Sequence, residues 1–324
     1  MNTPAMPSDQ GGEMQTTAVV ITQPQHLDLV HIELPAPGPD EVLVDIEWSG
    51  ISTGTEKLLW SGTMPPFPGL GYPLVPGYES VGRVRGGAFP ELEGRRVYVP
   101  GARCYGDIKG LFGGAASRVV VSAARLLPVR EDLEERAVML ALAATAFHVT
   151  GGDPARQPEL IVGHGVVGRL LARIAVALGA PAPTVWEISP WRSEGAQGYQ
   201  VLDPNADERR DYACICDASG DSAVLDTLVG RLARGGEIVL AGFYPRPLSF
   251  TFPPAFMREA RLRIAAEWQP EDLAGVNRLI DAGRLSLDDL VTHRAPAENA
   301  AAAYRTAFSD PRCLKMVLDW RECA

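Results

Sequence analysis

One six-residue motif constrains the fold of this chain more than any other stretch of its sequence. It consists of Gly163, His164, Gly165, Val166, Val167 and Gly168. The short apolar run Leu160–Val162 precedes the motif and is typical of a buried strand. Beyond the motif, apolar residues recur every three or four positions as far as Leu178, which predicts an amphipathic helix. A strand, a glycine-rich turn and a helix in this order predict a βαβ unit of a parallel sheet.

The spacing of the glycines also predicts a dinucleotide site. Gly163 permits a tight turn, Gly165 lets the backbone approach a pyrophosphate, and Gly168 lets the helix pack against the strand. The first turn of the helix adds free N–H groups and partial positive charge. His164 could contact a phosphate or the substrate, although its position favours a loop residue that faces solvent. A glycine-rich turn without any ligand is the alternative interpretation.

Glu187 predicts which dinucleotide binds. It follows the predicted strand Thr184–Trp186 and lies nineteen positions after Gly168. A carboxylate at this place accepts hydrogen bonds from the ribose hydroxyls of NAD and repels the additional phosphate of NADP. Arg192 is near enough in sequence to weaken that repulsion. We therefore expect NAD as the preferred cofactor, with a surface glutamate at a strand end as the alternative.

Strands and helices continue to alternate after Glu187. Apolar runs at residues 212–216 and 237–241 predict two more strands. Between them, apolar residues from Leu225 to Leu232 have helical spacing, and Gly235 with Gly236 is expected to end that helix. Alternation at this spacing predicts an α/β chain with a Rossmann, doubly wound parallel sheet, which we assign to residues 131–289.

The first part of the chain instead has the pattern of a β-rich domain. Residues 42–48 alternate between apolar and polar side chains, which is typical of a half-buried strand. Residues 64–77 are rich in proline and glycine and predict a loop, because proline cannot donate to a strand ladder. Further short strands are predicted at residues 78–84, 96–100 and 118–122.

These patterns predict three segments. We expect a disordered tail over residues 1–15, because they are polar and carry neither a basic start nor an apolar stretch. The β-rich domain covers residues 16–130 and is completed by residues 290–324, which contain a predicted helix and a last strand. The Rossmann domain lies between them.

Charge and cysteine content exclude some classes of function. Acidic residues outnumber basic ones by 40 to 30, and the net charge of −10 makes nucleic acid an unfavourable partner. No apolar run is long enough to cross a bilayer, so we expect no stable membrane insertion. The five cysteines have no framework spacing, which favours a reducing compartment and predicts a cytoplasmic protein.

The order of the domains and several motifs resemble the medium-chain dehydrogenases, whose first domain has a GroES-like fold. The motifs that carry the resemblance are residues 50–56, 76–79, 144–146, 234–236 and 290–293. Zinc-binding members place a cysteine where this chain has either Ser52 or Thr53, and a histidine where it has Tyr78. The third ligand would fall near Ala141. Hydroxyls bind zinc poorly, so the resemblance implies a member without a catalytic metal.

Without zinc, other groups must manage the proton of the substrate alcohol. The resemblance points to Thr55, Tyr78 and Glu79 as catalytic residues, with Glu56 as a further base or orienting group. Each has a structural alternative. Thr55 could be a turn hydroxyl, Tyr78 an aromatic residue packed in a strand, and Glu79 a buried structural carboxylate.

A closer resemblance implies the substrate. Four stretches are similar to family members that act on bacteriochlorophyllide-type tetrapyrroles: residues 49–79, 110–114, 186–190 and 242–268. This similarity implies NAD-dependent oxidation of a 3-(1-hydroxyethyl) group to 3-acetyl in bacteriochlorophyll a biosynthesis, on the bacteriochlorin or its chlorin precursor. It also implies a homo-oligomer, with a dimer favoured, and leaves peripheral contact with the photosynthetic membrane open.

The Pro-rich loop supplies apolar residues that could line a pigment cleft or fold back onto the small domain: Trp60, Met64, Phe67, Leu70 and Tyr72. Two other functions are compatible with parts of the pattern. A zinc-free reductase of conjugated C=C bonds or quinones would share the fold and the missing ligands. A protein that binds NAD without turnover would not need polar residues at Thr55, Tyr78 and Glu79, which this chain retains.

Overall fold

The computed structural model describes residues 14–265 and 267–323. The β-rich half contains β1 Gln15–Gln23, β2 His26–Glu33, β3 Glu41–Ile51, α1 Thr55–Ser61, β4 Leu74–Val75, β5 Ser80–Gly87, β6 Arg96–Val99, β7 Lys109–Gly110, β8 Arg118–Ser122 and β9 Leu127–Pro128. Gln15 begins the first strand, so the predicted tail over residues 1–15 extends too far. Residues 1–13 of that tail lie outside the described residues.

The second half alternates between helices and strands: α2 Leu140–Thr150, β10 Leu160–Val162, α3 Val166–Ala177, β11 Thr184–Trp186, β12 Gln200–Leu202, β13 Tyr212–Asp217, α4 Leu225–Arg231, β14 Leu232–Leu240, α5 Phe252–Met257, β15 Arg261–Ile264 and α6 Pro270–Asp281. The chain then ends in β16 His293–Pro296, α7 Ala300–Ser309 and β17 Met316–Asp319. Among these described helices, none is both long and apolar enough to span a membrane.

The second half forms a six-stranded parallel sheet in the order β12-β11-β10-β13-β14-β15. This confirms the predicted Rossmann sheet. The strand order reverses between β10 and β13, and the carboxyl ends of parallel strands at such a reversal frame a crevice in which ligands bind. The glycine motif follows β10 and therefore lies at the edge of that crevice.

The first half forms a seven-stranded sheet around β3 and a four-stranded sheet in the order β2-β1-β4-β7. β3 alternates buried and half-buried side chains, as its sequence pattern predicted. β17 pairs antiparallel with β3, so the end of the chain completes the sheet that the first half began. This confirms a mixed α/β fold with a β-rich catalytic half, while the exact division into domains stays a prediction.

Two predictions of local structure are wrong. The fourth helix ends at Arg231, because Leu232 already pairs with Tyr212 of β13, and Gly235 with Gly236 lies within β14 at an irregularity before the pairing resumes at Glu237. Within the predicted loop at residues 64–77, Leu74–Val75 forms β4 between β1 and β7. In both places, pairing with distant strands decides the structure, and the local glycine or proline content does not.

The turn between β10 and α3 gives a prediction about stability. A methyl group at Gly168 would collide with the carbonyl oxygen of Gly163, whereas one at Gly165 meets no atom within 4 Å. We expect Gly168→Ala to lower the free energy of unfolding by about 1–3 kcal/mol, because the helix must move off the strand.

Urea unfolding of both alanine variants measures this difference. Gly165→Ala is the control and should keep the wild-type value, since Gly165 has a φ of −75° that alanine adopts without strain. Equal stabilities of the two variants would contradict the packing role of Gly168.

Candidate active site

The turn after β10 has the geometry of a dinucleotide cradle. Gly163 has a φ of +94°, a conformation that residues with a side chain rarely adopt. Gly165 is the N-cap of α3, and no described side chain caps the N–H groups there. Since the space beside Gly165 is open, a pyrophosphate can approach the start of this twelve-residue helix. Val166 and Val167, the first two residues of α3, place their backbone N–H groups in the same first turn.

Glu187 lies beside this cradle as predicted, and its carboxylate is fixed by backbone amides. Oε2 accepts a hydrogen bond from the backbone N–H of His164 at 3.0 Å, and Oε1 accepts one from Ser189 at 2.8 Å. Each oxygen retains a further lone pair that a ribose hydroxyl can reach. The carboxylate is therefore held in place before any ligand binds.

The side chain of His164 does not face solvent, and that expectation is wrong. The residue is completely buried, and its Nδ1 and Nε2 lie 2.6 Å from the carbonyl oxygen of Arg192 and 2.7 Å from the hydroxyl of Tyr199. Burial lowers the pKa of the imidazole to about 4, because the charged form would lose its hydration. Both ring nitrogens are thus used to hold the loop that follows Glu187.

Arg169 holds the same loop and was not predicted. Its guanidinium donates to four backbone carbonyls: His164, Arg192, Glu194 and Gly195. The side chain of Arg192 in turn donates to the carbonyl oxygen of Pro311 in the C-terminal part of the chain. Arg192 therefore points towards the β-rich half. The only sequence signal for Arg169 was a charged residue on the apolar side of a predicted helix.

In the β-rich half, Ser52 and Tyr78 meet as a hydroxyl pair. Their side-chain oxygens are 2.8 Å apart, and the edge of the Phe112 ring packs against Tyr78 with 5.3 Å between centroids. Ser52 rather than Thr53 therefore faces the former histidine position. Burial raises the pKa of Tyr78, as does the charge of Glu79, while the hydroxyls of Ser52 and Thr55 act in the opposite direction. Thr55, the first residue of α1, is thus also near the phenol.

Glu79 is buried in an ion pair with Lys315. The Lys315 Nζ lies 2.5 Å from Glu79 Oε2, and both side chains are at most 1% exposed. Oε1 of Glu79 has no hydrogen-bond partner among the described residues. Lys315 was not identified from the sequence, although a lysine within an apolar strand is unusual enough to have marked it.

Glu56 is the second buried carboxylate. Its Oε1 accepts a hydrogen bond from the backbone N–H of Ser52 at 3.2 Å, and its Oε2 accepts one from the hydroxyl of Tyr304 at 2.7 Å. Burial, with a smaller effect of the charge on Glu79, raises the pKa of Glu56 to about 7. A carboxyl with that pKa can gain or lose a proton at neutral pH.

The donor set does not fit a catalytic zinc. Ser52 and Tyr78 are hydrogen-bonded to each other, and Glu79 is paired with Lys315. Ala141 in α2 offers no donor atom. Across the described residues, no group of three His, Cys, Asp or Glu side chains is arranged to hold a metal. A hydroxyl pair in place of soft or nitrogen ligands is a poor zinc site.

Most apolar residues of the predicted pigment cleft fold back onto the small domain. Met64 is buried, and Trp60, Leu70 and Tyr72 pack against the same cluster, which contains Ile21, Leu59, Leu74 and Leu111. Phe67 is the exception and remains exposed. Phe112, whose ring packs against Tyr78, is an apolar residue that does lie beside the hydroxyl pair.

Residues 38–131 match the family described as alcohol dehydrogenase GroES-like domain. The chain is 56% identical to the 2-desacetyl-2-hydroxyethyl bacteriochlorophyllide A dehydrogenases of Rhodobacter capsulatus, over 95% of this chain and 99% of that protein, and of Cereibacter sphaeroides, over 96% and 100%. The chain belongs to this dehydrogenase family. It is thus an oxidoreductase that acts on a CH–OH group.

The fold is shared more widely. An Escherichia coli alcohol dehydrogenase complexed with NADH superposes with a TM-score of 0.80 at 22% identity, over 94% of this chain and 99% of that one. The match confirms the two-part architecture of the medium-chain dehydrogenases. At this identity it says nothing further about the substrate.

The buried histidine of the cradle gives a prediction about pH and stability. Since folding lowers the pKa of His164 from 6.5 to about 4, its contribution is complete above pH 6.5 and is lost as the pH falls towards 4. We expect the wild type to lose about 3 kcal/mol of unfolding free energy through this residue over that range.

Urea unfolding between pH 4 and 7 measures the effect as the difference between wild type and His164→Gln. That difference should shrink as the pH falls. His26→Gln, at an exposed position, is the control for loss of a histidine side chain. A constant difference for His164→Gln would contradict the prediction, because it would mean that the folded and unfolded states bind a proton at this histidine equally well.

Proposed function

We propose that this dehydrogenase oxidises the 3-(1-hydroxyethyl) group of bacteriochlorophyllide a, or of its chlorin precursor, to 3-acetyl, with NAD and without catalytic zinc. The observation that carries the proposal is 56% identity, over nearly the whole chain, to two dehydrogenases named for this substrate. The reaction belongs to bacteriochlorophyll a biosynthesis. Its location is the cytoplasm, at the surface of the photosynthetic membrane where such a pigment partitions.

The hydroxyl pair would position the substrate alcohol. Tyr78 and Ser52 can together donate to and accept from the carbinol oxygen, while Thr55 supplies a third hydroxyl nearby. Phe112 offers an apolar surface for the macrocycle. When bound, NAD accepts a hydride from the carbinol carbon. The new carbonyl is conjugated with the macrocycle, which lowers the demand for a metal that would stabilise an alkoxide.

An optical assay tests the proposal. With NAD and 3-(1-hydroxyethyl) bacteriochlorophyllide a, we expect NADH to form while the long-wavelength pigment band moves to the red, because an acetyl group extends the conjugation. Protein treated with a chelator should keep its rate, and Tyr78→Phe should lose about 10²–10⁴-fold in kcat. NAD binding without pigment oxidation would favour the zinc-free reductase, which an assay with conjugated enones or quinones and NAD(P)H would then reveal.

The preference for NAD rests on the loop around Glu187. The carboxylate is held by two amides beside the cradle, and the side chain of Arg192 is directed to Pro311 rather than to a 2′-phosphate. Negative charge at that place favours two ribose hydroxyls over a phosphate ester. We therefore propose that selectivity for NAD comes from Glu187.

Glu187→Ala tests this role. We expect the Kd of NAD to rise roughly 10- to 100-fold, because a hydrogen bond to a charged group contributes about 1.5–3 kcal/mol, while NADP binds no more weakly than before. The measurement is titration of each cofactor by calorimetry. Glu194→Ala, an exposed carboxylate in the same loop, is the control, and an unchanged ratio of NAD to NADP affinity in Glu187→Ala would reject the proposal.

We also propose a homodimer built on the edge of the Rossmann sheet. β15 is the last strand of that sheet, and its Ile264 is 77% exposed. Phe252, Phe256 and Met257 of α5 expose further apolar surface beside it. An edge strand with exposed apolar side chains is a favourable place for a second copy to add its own strand.

A further inference from the structure

Four polar side chains form a buried cluster directly behind the Ser52–Tyr78 pair, and we call them the carboxylate cluster: Glu56, Glu79, Tyr304 and Lys315. All four are at most 1% exposed. They come from α1, from the residue before β5, from α7 and from the residue before β17. Sequence neighbours join the cluster to the site, because Glu79 follows Tyr78 and the backbone N–H of Ser52 donates to Glu56.

The charges of the cluster do not balance. Two carboxylates and one ammonium give a net charge of −1 when all three groups are ionised. Burial makes an uncompensated charge costly, so the cluster favours the uptake of one proton. The cluster is therefore able to exchange a proton with whatever lies in the adjacent site.

Glu56 is the member that takes up this proton. Burial raises the pKa of Glu79 too, but the ammonium of Lys315 opposes this shift from 2.5 Å away. Glu56 instead has only neutral donors, the amide of Ser52 and the hydroxyl of Tyr304. The groups that face Glu56 are these two, Glu79 and Lys315. Its pKa is about 7, while burial raises the pKa of Tyr304 well above the ordinary value.

Ser52 connects the cluster to the site. Its hydroxyl contacts the phenol of Tyr78 at 2.8 Å, and its own backbone N–H contacts Glu56 Oε1 at 3.2 Å. The relay inferred below requires the Ser52 hydroxyl to turn about its Cα–Cβ bond, from the phenol towards the carboxylate that its own backbone N–H already contacts.

This inference rests on the proposed oxidation. We propose that Glu56 receives the proton released by the substrate alcohol and that the hydroxyls of Tyr78 and Ser52 relay it. The carbinol O–H bond breaks and a Glu56 O–H bond forms, while each hydroxyl of the relay gains one proton and passes one on. The carbinol carbon loses its hydride to the nicotinamide cofactor and becomes a carbonyl. After the product leaves, the proton returns from buried Glu56 through the same two hydroxyls to water in the emptied site, which completes the balance.

The first test is the pH dependence of pigment oxidation. In the wild type, kcat/KM should rise about tenfold per pH unit below neutral and level off above it, because only ionised Glu56 accepts a proton. Glu56→Gln should remove this acidic limb, the rise of kcat/KM with pH, and lower the plateau about 100-fold. Glu91→Gln, an exposed carboxylate, is the control and should keep the wild-type profile. A Glu56→Gln enzyme with the wild-type limb would overturn the proposal.

A second variant keeps the test independent of how well Glu56→Gln folds. The Tyr304 hydrogen bond stabilises the ionised carboxylate, so Tyr304→Phe should move the limb to higher pH. An unmoved limb in Tyr304→Phe would mean that another group controls the rate.

A third measurement needs neither cofactor nor pigment. Since folding raises the pKa of Glu56 from 4.5 to about 7, its contribution to stability is complete below pH 4.5 and is lost as the pH rises through 7. In urea unfolding, the difference in unfolding free energy between wild type and Glu56→Gln should show this loss as the pH rises. If the loss is seen but no pigment is oxidised, the proposed substrate fails while the proton-binding cluster stands; if the loss is absent, the inference fails whatever the substrate.

Discussion

The buried ion pair of Glu79 and Lys315 is the interaction on which the catalytic half depends. It joins the start of β5 to the start of β17, 236 positions apart in sequence. Removal of either partner would leave an uncompensated buried charge, which typically costs about 3–5 kcal/mol. The backbone N–H of Gly50 donates to the carbonyl oxygen of Glu79, and a side chain at Gly50 would collide with the carboxylate. The position of Tyr78, the preceding residue, is therefore fixed by charge and by close backbone packing together.

The Rossmann half and the β-rich half contribute different groups to the proposed reaction. The Rossmann half offers open space and free N–H groups at Gly165, and it holds Glu187 with backbone amides, which suits an anionic dinucleotide. The β-rich half offers hydroxyls backed by buried carboxylates, which suits proton movement. Arg192, which donates to Pro311, is one of the contacts that join them, so the loop that holds the cofactor carboxylate also touches the catalytic half.

The sequence predicted correctly those strands whose bounds depend on neighbouring residues alone. The bounds of β10 and β11 agree with the expected ones because each is a short apolar run between turn residues. The ends of α4 and the pairing of β4 could not be read locally, because distant strands impose them. The same limit applies to the site. The resemblance to the medium-chain dehydrogenases pointed to Tyr78, Glu79 and Glu56, which lie in its motifs. Lys315 and Tyr304 lie outside those motifs and reach the carboxylates only through the folded C-terminal part of the chain. His164 was misjudged because its burial depends on a loop that Arg169 holds from the next helix.

A zinc ion and a buried carboxylate can both assist the loss of a proton from an alcohol, but they carry opposite charges. Zinc stabilises the negative charge that develops on the alcohol oxygen. In this chain burial, and then the negative charges of Glu79 and Glu56, raise the pKa of Tyr78, so a long-lived phenolate is disfavoured. Such a site works only if the proton leaves together with the hydride and is taken up at once by a nearby base. Glu56, which contacts the amide of Ser52 and lacks a cation of its own, has the position and the proton affinity for that task. The loss of metal ligands and the presence of a buried carboxyl that titrates near neutrality are thus two aspects of one arrangement.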